Sequence, residues 1–531
     1  MSQKLQEFIK TIENKSLLII LSLYSITFGL LVTNNGLFWD DWTVHNVENK
    51  GLEQQFGENG YLTFLWLLKA LNSLFGNEVT ALRIITFLSY LFSAIFLYFV
   101  LKKIKEIDSW SRLFIVLIFM LFPVNFARVS IVNANHAMNY FFFFFGFLLL
   151  MKYLSNKRII TRIISLSLFF LSFFTPSFLV IYLTIVFYIF HCEKVNILNI
   201  RQASVTVLKY IDFILLPIIY WIIKKVFIKT TGHYANYNEL SLENFMNLPS
   251  ELIRAFKYSY IEPILISIPK SVLWGIFFSI IWLVLFFVFK KSLNVFKEKI
   301  NVKVDVIFFL LGFVFFVLGV FAYAAVGKTP SPENWNSRQQ LLVPLGASFI
   351  TYFLVRLIAY LLNLGNNFRN IIFTLFLALF ITSNISIYFD YHRDWMKQLS
   401  IMENFKDSSI IQNNTTFVFD DNTAYLNTLN RNYRFYEYTG LFEKTFHEET
   451  RIGVSDPQSL KSRSFRSIFK YEFVNVGGYT LTEPQYTVHI NRGNYELSIM
   501  GTINLFFNKV FNKEQFNEDL KNVIDLQYSK M

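Results

Sequence analysis

The run Ser16-Leu17-Leu18-Ile19-Ile20-Leu21-Ser22-Leu23-Tyr24-Ser25-Ile26-Thr27-Phe28-Gly29-Leu30-Leu31-Val32-Thr33 carries no charge, and the chain then opens into Asn34-Asn35-Gly36-Leu37-Phe38-Trp39-Asp40-Asp41-Trp42-Thr43-Val44-His45. A bilayer-spanning helix needs roughly 17–25 predominantly apolar residues, and the first segment meets that length. The second segment sets two adjacent carboxylates between two tryptophans where the chain leaves the apolar region. Carboxylates at that depth are costly unless they are solvated, paired or used. Tryptophan belongs at a membrane–water boundary in any case, because the indole is amphipathic. The plain reading is therefore an aromatic belt with two solvated acids. The sharper reading is a site built on Asp40 and Asp41.

Composition supports the membrane class. Of 531 residues, 54% are hydrophobic and 19% aromatic, Phe alone occurs 63 times, and mean hydropathy is +0.40. Only 16% are charged, against roughly 25% in an ordinary soluble domain. The single cysteine, Cys192, excludes an internal disulfide framework and any cysteine-based metal cluster. The net charge of +12 does not point to nucleic acid. The Lys and Arg residues sit in short loops between apolar runs, where they set topology. The basic residues 1–15 and the spanning length of the run after them predict a retained first helix rather than a cleaved signal peptide.

Hydropathy predicts about 11 transmembrane helices: 16–33, 79–101, 111–124, 137–153, two short helices within 163–190 split at Thr175-Pro176-Ser177, 208–227, 271–289, 305–326, 341–362 and 370–389. Lys4, Lys10 and Lys15 place the N-terminus in the cytoplasm, and Lys102-Lys103-Ile104-Lys105 marks a cytoplasmic loop. The apolar stretch at about 61–76 ends early and reads as a helix on the outer surface. Residues 228–270, with Tyr234, Tyr237, Tyr258, Tyr260 and Glu262, read as a long outer loop. An odd number of spans puts the C-terminus outside. The division is a transmembrane domain over 1–389 and a small extracytoplasmic α/β domain over 390–531. Asp390, His392 and Asp394 read as a solvated junction between them. In the outer domain, 415–422 reads as a strand, 486–490 and 495–499 as a hairpin around Asn491-Arg492-Gly493-Asn494, and about 513–528 as a helix.

Four outer features can converge on one site. An ionised Asp40 or Asp41 can accept a proton from a hydroxyl, or the pair can hold a divalent cation. Arg338, at the mouth of the 341–362 span, suits a phosphate because it is always charged and bonds bidentately; a snorkelling interfacial Arg is the alternative. Lys224 and Lys225, with Lys229, suit an anionic lipid phosphate, though ordinary contact with bulk headgroups is the plainer reading. Asn133, Asn135, His136 and Asn139 form a polar interruption in which Asn135 and Asn139 share a helix face. His136 and His45 are open between proton transfer, metal ligation and structural hydrogen bonding. Asp420-Asp421 sits where a strand enters a turn, a setting that favours Asp for its own hydrogen bonds.

The acids in Phe38-Trp39-Asp40-Asp41-Trp42, the outer helix after them and the Arg in Ser337-Arg338-Gln339-Gln340-Leu341-Leu342-Val343-Pro344 together resemble the C-type (GT-C fold) glycosyltransferases. These include protein O-mannosyltransferases, the aminoarabinose transferases of lipid A and the glucosyltransferases that decorate O-antigen in lipopolysaccharide. The resemblance covers roughly residues 16–390. It implies an inverting transferase of the outer face of the plasma (inner) membrane. The donor is a polyprenyl-phosphate sugar and the acceptor a cell-envelope glycan or lipid. It further implies that Asp40 or Asp41 is the base, with a slight preference for Asp41 beside Trp42. Arg338, aided by Lys224 or Lys225, would hold the departing lipid phosphate. Trp39, Trp42, Trp335, His136 and Asn135 are the candidate sugar or acceptor contacts. Where many members carry a second acid after the third span, this chain has Asn135 and His136, which argues against a metal site there. An O-antigen polymerase or ligase, and a lipid-linked glycan transporter, are the rival readings. The transporter predicts repeat symmetry and mid-membrane charge that the sequence does not display.

Overall fold

A backbone in hydrocarbon must satisfy its own hydrogen bonds, so apolar runs of this length fold as helices. The computed structural model describes residues 3–45, 50–196, 199–228, 231, 240–293, 301–462, 465, 479 and 482–531. Among these, six helices are long and apolar enough to cross a membrane: Lys15–Thr33, Glu78–Leu101, Ile131–Asn156, Val302–Ala324, Val343–Leu361 and Asn367–Lys406. Two further apolar pairs are bent, Ile200–Lys209 with Ile211–Phe227 by 67° and Leu248–Leu273 with Gly275–Lys290 by 110°, and the count reaches eight if each is one span. The chain is a mostly helical, membrane-embedded protein with one small sheet.

The eleven crossings predicted from hydropathy exceed this count because Ser109–Leu121, Ile159–Ser172 and Ser177–Cys192 are apolar but short. The first of these is buried from Trp110 to Leu121, a central post that touches protein on every face. The break at Thr175-Pro176 divides the other two, as the lost donor of proline requires. Leu62–Phe75 is likewise too short to span.

The region read as an outer loop over 228–270 is corrected by the structure, which is helical from Leu248 to Leu273 with a π-helical turn at Lys257–Ile261. That turn lets the helix absorb Pro263, whose ring would clash in a regular α-turn. One of its faces is internal: Phe256 packs on Phe316 at 5.3 Å, and the Tyr260 hydroxyl meets Thr351 Oγ1 at 3.1 Å. Lys229, Tyr234 and Tyr237 lie outside the described residues. The helices Val302–Ala324 and Val343–Leu361 approach closely through small residues. A Cβ on Gly312 would stand 2.8 Å from the Ile350 amide nitrogen.

The helix Asn366–Lys406 has 41 residues. At 1.5 Å per residue it is about 60 Å long, twice the ~30 Å hydrocarbon thickness, so a large part must project beyond the bilayer. No break occurs at 389. His392 and Asp394 are buried within the helix, which corrects the reading of a solvated junction. The outer half is the support of the C-terminal segment: Phe405 stacks on Phe442 at 4.6 Å and meets Phe419 at 6.0 Å.

The sheet order is β2-β1-β3-β4, with β1 (Thr416–Asp421) parallel to β2 (Ile452–Val454) and β3 (Tyr486–Arg492), and β3 antiparallel to β4 (Ile524–Lys530). The strand expected over 415–422 is present. The hairpin expected over 486–499 is not: Ile499 begins a helix that runs to Phe511, and β3 pairs instead with the last residues of the chain. The helix expected over 513–528 stops at Lys521, and β4 follows.

Candidate active site

The two acids of the first loop go to different places. Asp41 is fully buried. Its Oδ1 accepts from the Ser130 hydroxyl at 2.5 Å and the Val132 amide at 3.4 Å, and its Oδ2 accepts from the Phe38 amide at 3.2 Å. Burial pushes its carboxyl up to about 7, against the pull of Ser130 and Arg83. Asp41 therefore ties the loop to the 130–132 turn and has no face left for a substrate.

Asp40 keeps part of its surface open. Its carboxyl is raised by burial and lowered by the charges of Arg338 and Arg434 and by a hydrogen bond from Tyr436. Three segments distant in sequence thus meet around one carboxylate. The aim of Asp40 is set by Trp39, which adopts a left-handed backbone (φ 51°) unusual for a bulky side chain. Such a conformation costs of order 1–3 kcal/mol and persists only where the surroundings enforce it. Here Trp335 packs on the Trp39 ring at 5.4 Å, Tyr391 at 6.0 Å, and the Arg431 guanidinium lies 5.2 Å from it.

The rest of the loop is clamped. Arg83 donates to the carbonyls of Asn34 and Gly36, the latter at 2.7 Å. Gln398 accepts from the Leu37 amide at 3.2 Å and donates to its carbonyl at 2.9 Å. A Cβ on Gly36 would stand 2.8 Å from Trp395 Cβ, so the loop lies directly on the long helix. Beneath, Arg431 donates to both oxygens of Glu437 at 2.6 and 2.7 Å, and Asp394 accepts from the Tyr433 hydroxyl at 2.5 Å and the Thr428 amide at 3.0 Å. Lys397 reaches Asp421 at 2.6 Å and Asn427 at 2.8 Å. Asp421 is accordingly structural, while Asp420 pairs with His489 at 2.9 Å on the exposed sheet face.

Arg338 lies in the 3-10 turn Asn334–Gln340, half-buried, with its guanidinium 4.4 Å from the Trp335 ring centroid. The stack flattens the guanidinium on an aromatic face. The turn is pinned to its neighbour by the Ala127 amide on Ser337 Oγ at 2.9 Å and the Asn125 amide on Gln340 Oε1 at 3.3 Å. Asn336 and Gln339 of this turn line a polar cavity of about 380 Å³ together with Tyr258, Lys328, Thr329 and Glu333, among others. Burial and the charge of Arg338 hold the Lys328 ammonium down at about 8.

His136 is half-buried, within electrostatic reach of Arg338, and its Nδ1 meets Thr175 Oγ1 at 2.8 Å. Asn139 is buried and donates to the same hydroxyl at 2.8 Å, whereas Asn135 is half-buried one turn away. Trp42 is buried against Gly440 of the helix Phe435–Phe446, a packing contact that leaves no ring face for a sugar. His45 is held neutral by burial, with its pKa near 4, and its Nδ1 meets the Trp42 carbonyl at 2.8 Å. Lys224 and Lys225 end the helix Ile211–Phe227, with Lys225 exposed over Trp221 at 5.1 Å, and they take no part in the contacts that gather Asp40, Arg338 and His136.

Sequence reasoning missed Arg434, Tyr436 and Lys328. The signal for the first two was present in Arg431-Asn432-Tyr433-Arg434-Phe435-Tyr436-Glu437-Tyr438, a density of Arg and Tyr unusual in a plain loop. Among the described residues, no three His, Cys, Asp or Glu side chains gather to hold a metal ion. Asp40 stands instead among cationic groups, a donor set that does not fit a divalent cation. Compared with known proteins, the chain matches no family model, no curated protein and no solved structure.

Proposed function

We propose that the chain is a membrane glycosyltransferase that moves a sugar from a polyprenyl-phosphate donor to a hydroxyl of a cell-envelope glycan or lipid, with inversion. The observation that supports this best is a partly exposed carboxylate, Asp40, held within electrostatic reach of Arg338 and Arg434, with a polar cavity lined by the Asn336 and Gln339 that flank Arg338. Asp40 takes the proton of the acceptor hydroxyl, whose oxygen attacks the anomeric carbon. The bond from that carbon to the phosphate oxygen breaks, and the lipid phosphate leaves with the electron pair. Arg338 stabilises the charge that develops there, with Arg434 and Lys328 adding to the positive field. Tyr436 orients the base, and Trp335 holds Arg338 flat. Asp41 positions the loop and does not react.

In this reading the cleft and the C-terminal segment face the extracytoplasmic side of the plasma membrane. Eleven crossings result when the two bent pairs and the three short helices Ser109–Leu121, Ile159–Ser172 and Ser177–Cys192 also traverse the bilayer. The test uses purified full-length protein in nanodiscs with a panel of polyprenyl-phosphate sugars and cell-envelope acceptors, following release of lipid phosphate. Consumption of one donor, lost in Arg338→Ala protein that still folds, is the expected result. No release with any donor and acceptor pair overturns the reading.

A further inference from the structure

Arg128 lies in the short turn Phe126–Val129 and is only 5% exposed. Its Nε donates to the Asn125 carbonyl at 3.0 Å and its Nη2 to the Val124 carbonyl at 2.9 Å. The guanidinium sits between the rings of Tyr90 at 4.6 Å and Phe28 at 5.0 Å. These contacts position the group, but none carries a formal negative charge. Buried charges are costly unless they are paired. Of the other buried guanidinium groups, Arg431 has Glu437, Arg356 has Asp305 and Arg83 has the field of Asp41, while Arg112 lies over the Tyr98 ring. Among the described residues, Arg128 has no carboxylate partner; what surrounds it is the phenols of Tyr388, Tyr90, Tyr24 and Tyr140.

Those phenols are donors in waiting. Tyr24 spends its proton on the Phe87 carbonyl at 3.0 Å. Tyr90 accepts from Asn125 Nδ2 at 2.8 Å, which leaves its own proton to give. The hydroxyls of Tyr140 and Tyr388 are buried without a hydrogen-bond partner, a state that calls for an explanation. Arg128, Tyr24, Tyr90, Asn125 and Tyr140 line one cavity whose free space of about 10 Å³ admits about one water-sized species.

We infer that this cavity is a binding site for a small monovalent anion of the halide class, caged by the Arg128 guanidinium and tyrosine hydroxyls. A water molecule satisfies the phenols but leaves the charge uncompensated. A phosphate is too large for the space. The site lies under the turn that carries Arg338, since Asn125 and Ala127 of its rim bond Gln340 and Ser337. An anion here therefore stiffens that turn, independently of any donor bound above it.

The test reads stability and occupancy rather than turnover, so its outcome is separate from that of the transferase reading. Purified full-length protein is melted in sodium chloride or bromide against sodium gluconate at constant ionic strength. The expected result is a saturable rise in Tm with halide. Bromide should also give an anomalous peak beside Arg128 in crystals. Because Arg128→Gln removes two carbonyl contacts and endangers the fold, the variant used is Tyr140→Phe with Tyr388→Phe. It should melt like wild type in gluconate and bind halide about tenfold or more weakly, from the loss of hydrogen bonds to a charged partner. Equal melting of wild type in all three salts overturns the inference. So does a halide titration unchanged in the double variant, or a cavity that holds water alone.

Discussion

The cleft around Asp40 and the ionic network directly beneath it are built from the same residue types, yet they differ in closure. Below, Arg431 is buried between Asp394 and Glu437, which gives both its oxygens to the guanidinium, and the buried Lys397 is bonded to Asp421. Above, Asp40 and Arg338 are half-open and close enough to feel each other, and the residues flanking Arg338 line a cavity. The lower set uses its charge up in holding Trp39 and the loop 421–437 in place. The upper set is partly exposed, where a ligand can reach it. Charge alone does not mark a site; accessible charge on a rigid support does.

Four substitutions probe this contrast. Asp40→Asn should cost about 10²–10⁴ in turnover, the range for a lost general base, with Tm nearly unchanged. Glu437→Gln should do the opposite: it strips a buried guanidinium of its bidentate partner and should lower stability by about 3–5 kcal/mol, read by thermal unfolding. Asp41→Asn should fall between them. It weakens the acceptor set of Ser130, Val132 and Phe38, at about 1–3 kcal/mol. It should also change the pH profile. Because burial raises the Asp41 carboxyl from 3.8 to about 7, the folded state favours the protonated form. Wild type then loses stability as pH rises from about 4 to about 7 on this account, and the variant should be flat over that window. Trp335→Leu removes the stack under Arg338 and should cost about 0.5–1 kcal/mol in donor binding, read as a higher KM with kcat little changed.

Much of the membrane part was legible because hydropathy acts over whole helices. The first span and the break at Pro176 follow from local composition. What failed was non-local. The turn signal in Asn491-Arg492-Gly493-Asn494 suggests a hairpin, but β3 gains more by pairing with the chain terminus, and the Gly493 amide bonds the Val523 carbonyl at 3.0 Å. The stretch with Tyr258, Tyr260 and Glu262 reads as a loop, but a π-turn and packing on Phe316 keep the segment helical. Asp394 looks like a solvated junction residue because its partners, Arg431 and Tyr433, lie tens of residues away. The closure of Asp41 was hidden for the same reason, since Ser130 folds across it from a different segment.

The most direct test sets Asp40→Asn beside Glu437→Gln and measures lipid-phosphate release and Tm on the same preparations. The account predicts that Asp40→Asn melts like wild type and is nearly inactive, whereas Glu437→Gln melts far lower but turns over donor while it stays folded. Wild-type turnover by Asp40→Asn, or inactivity of the folded Glu437→Gln protein, would contradict it.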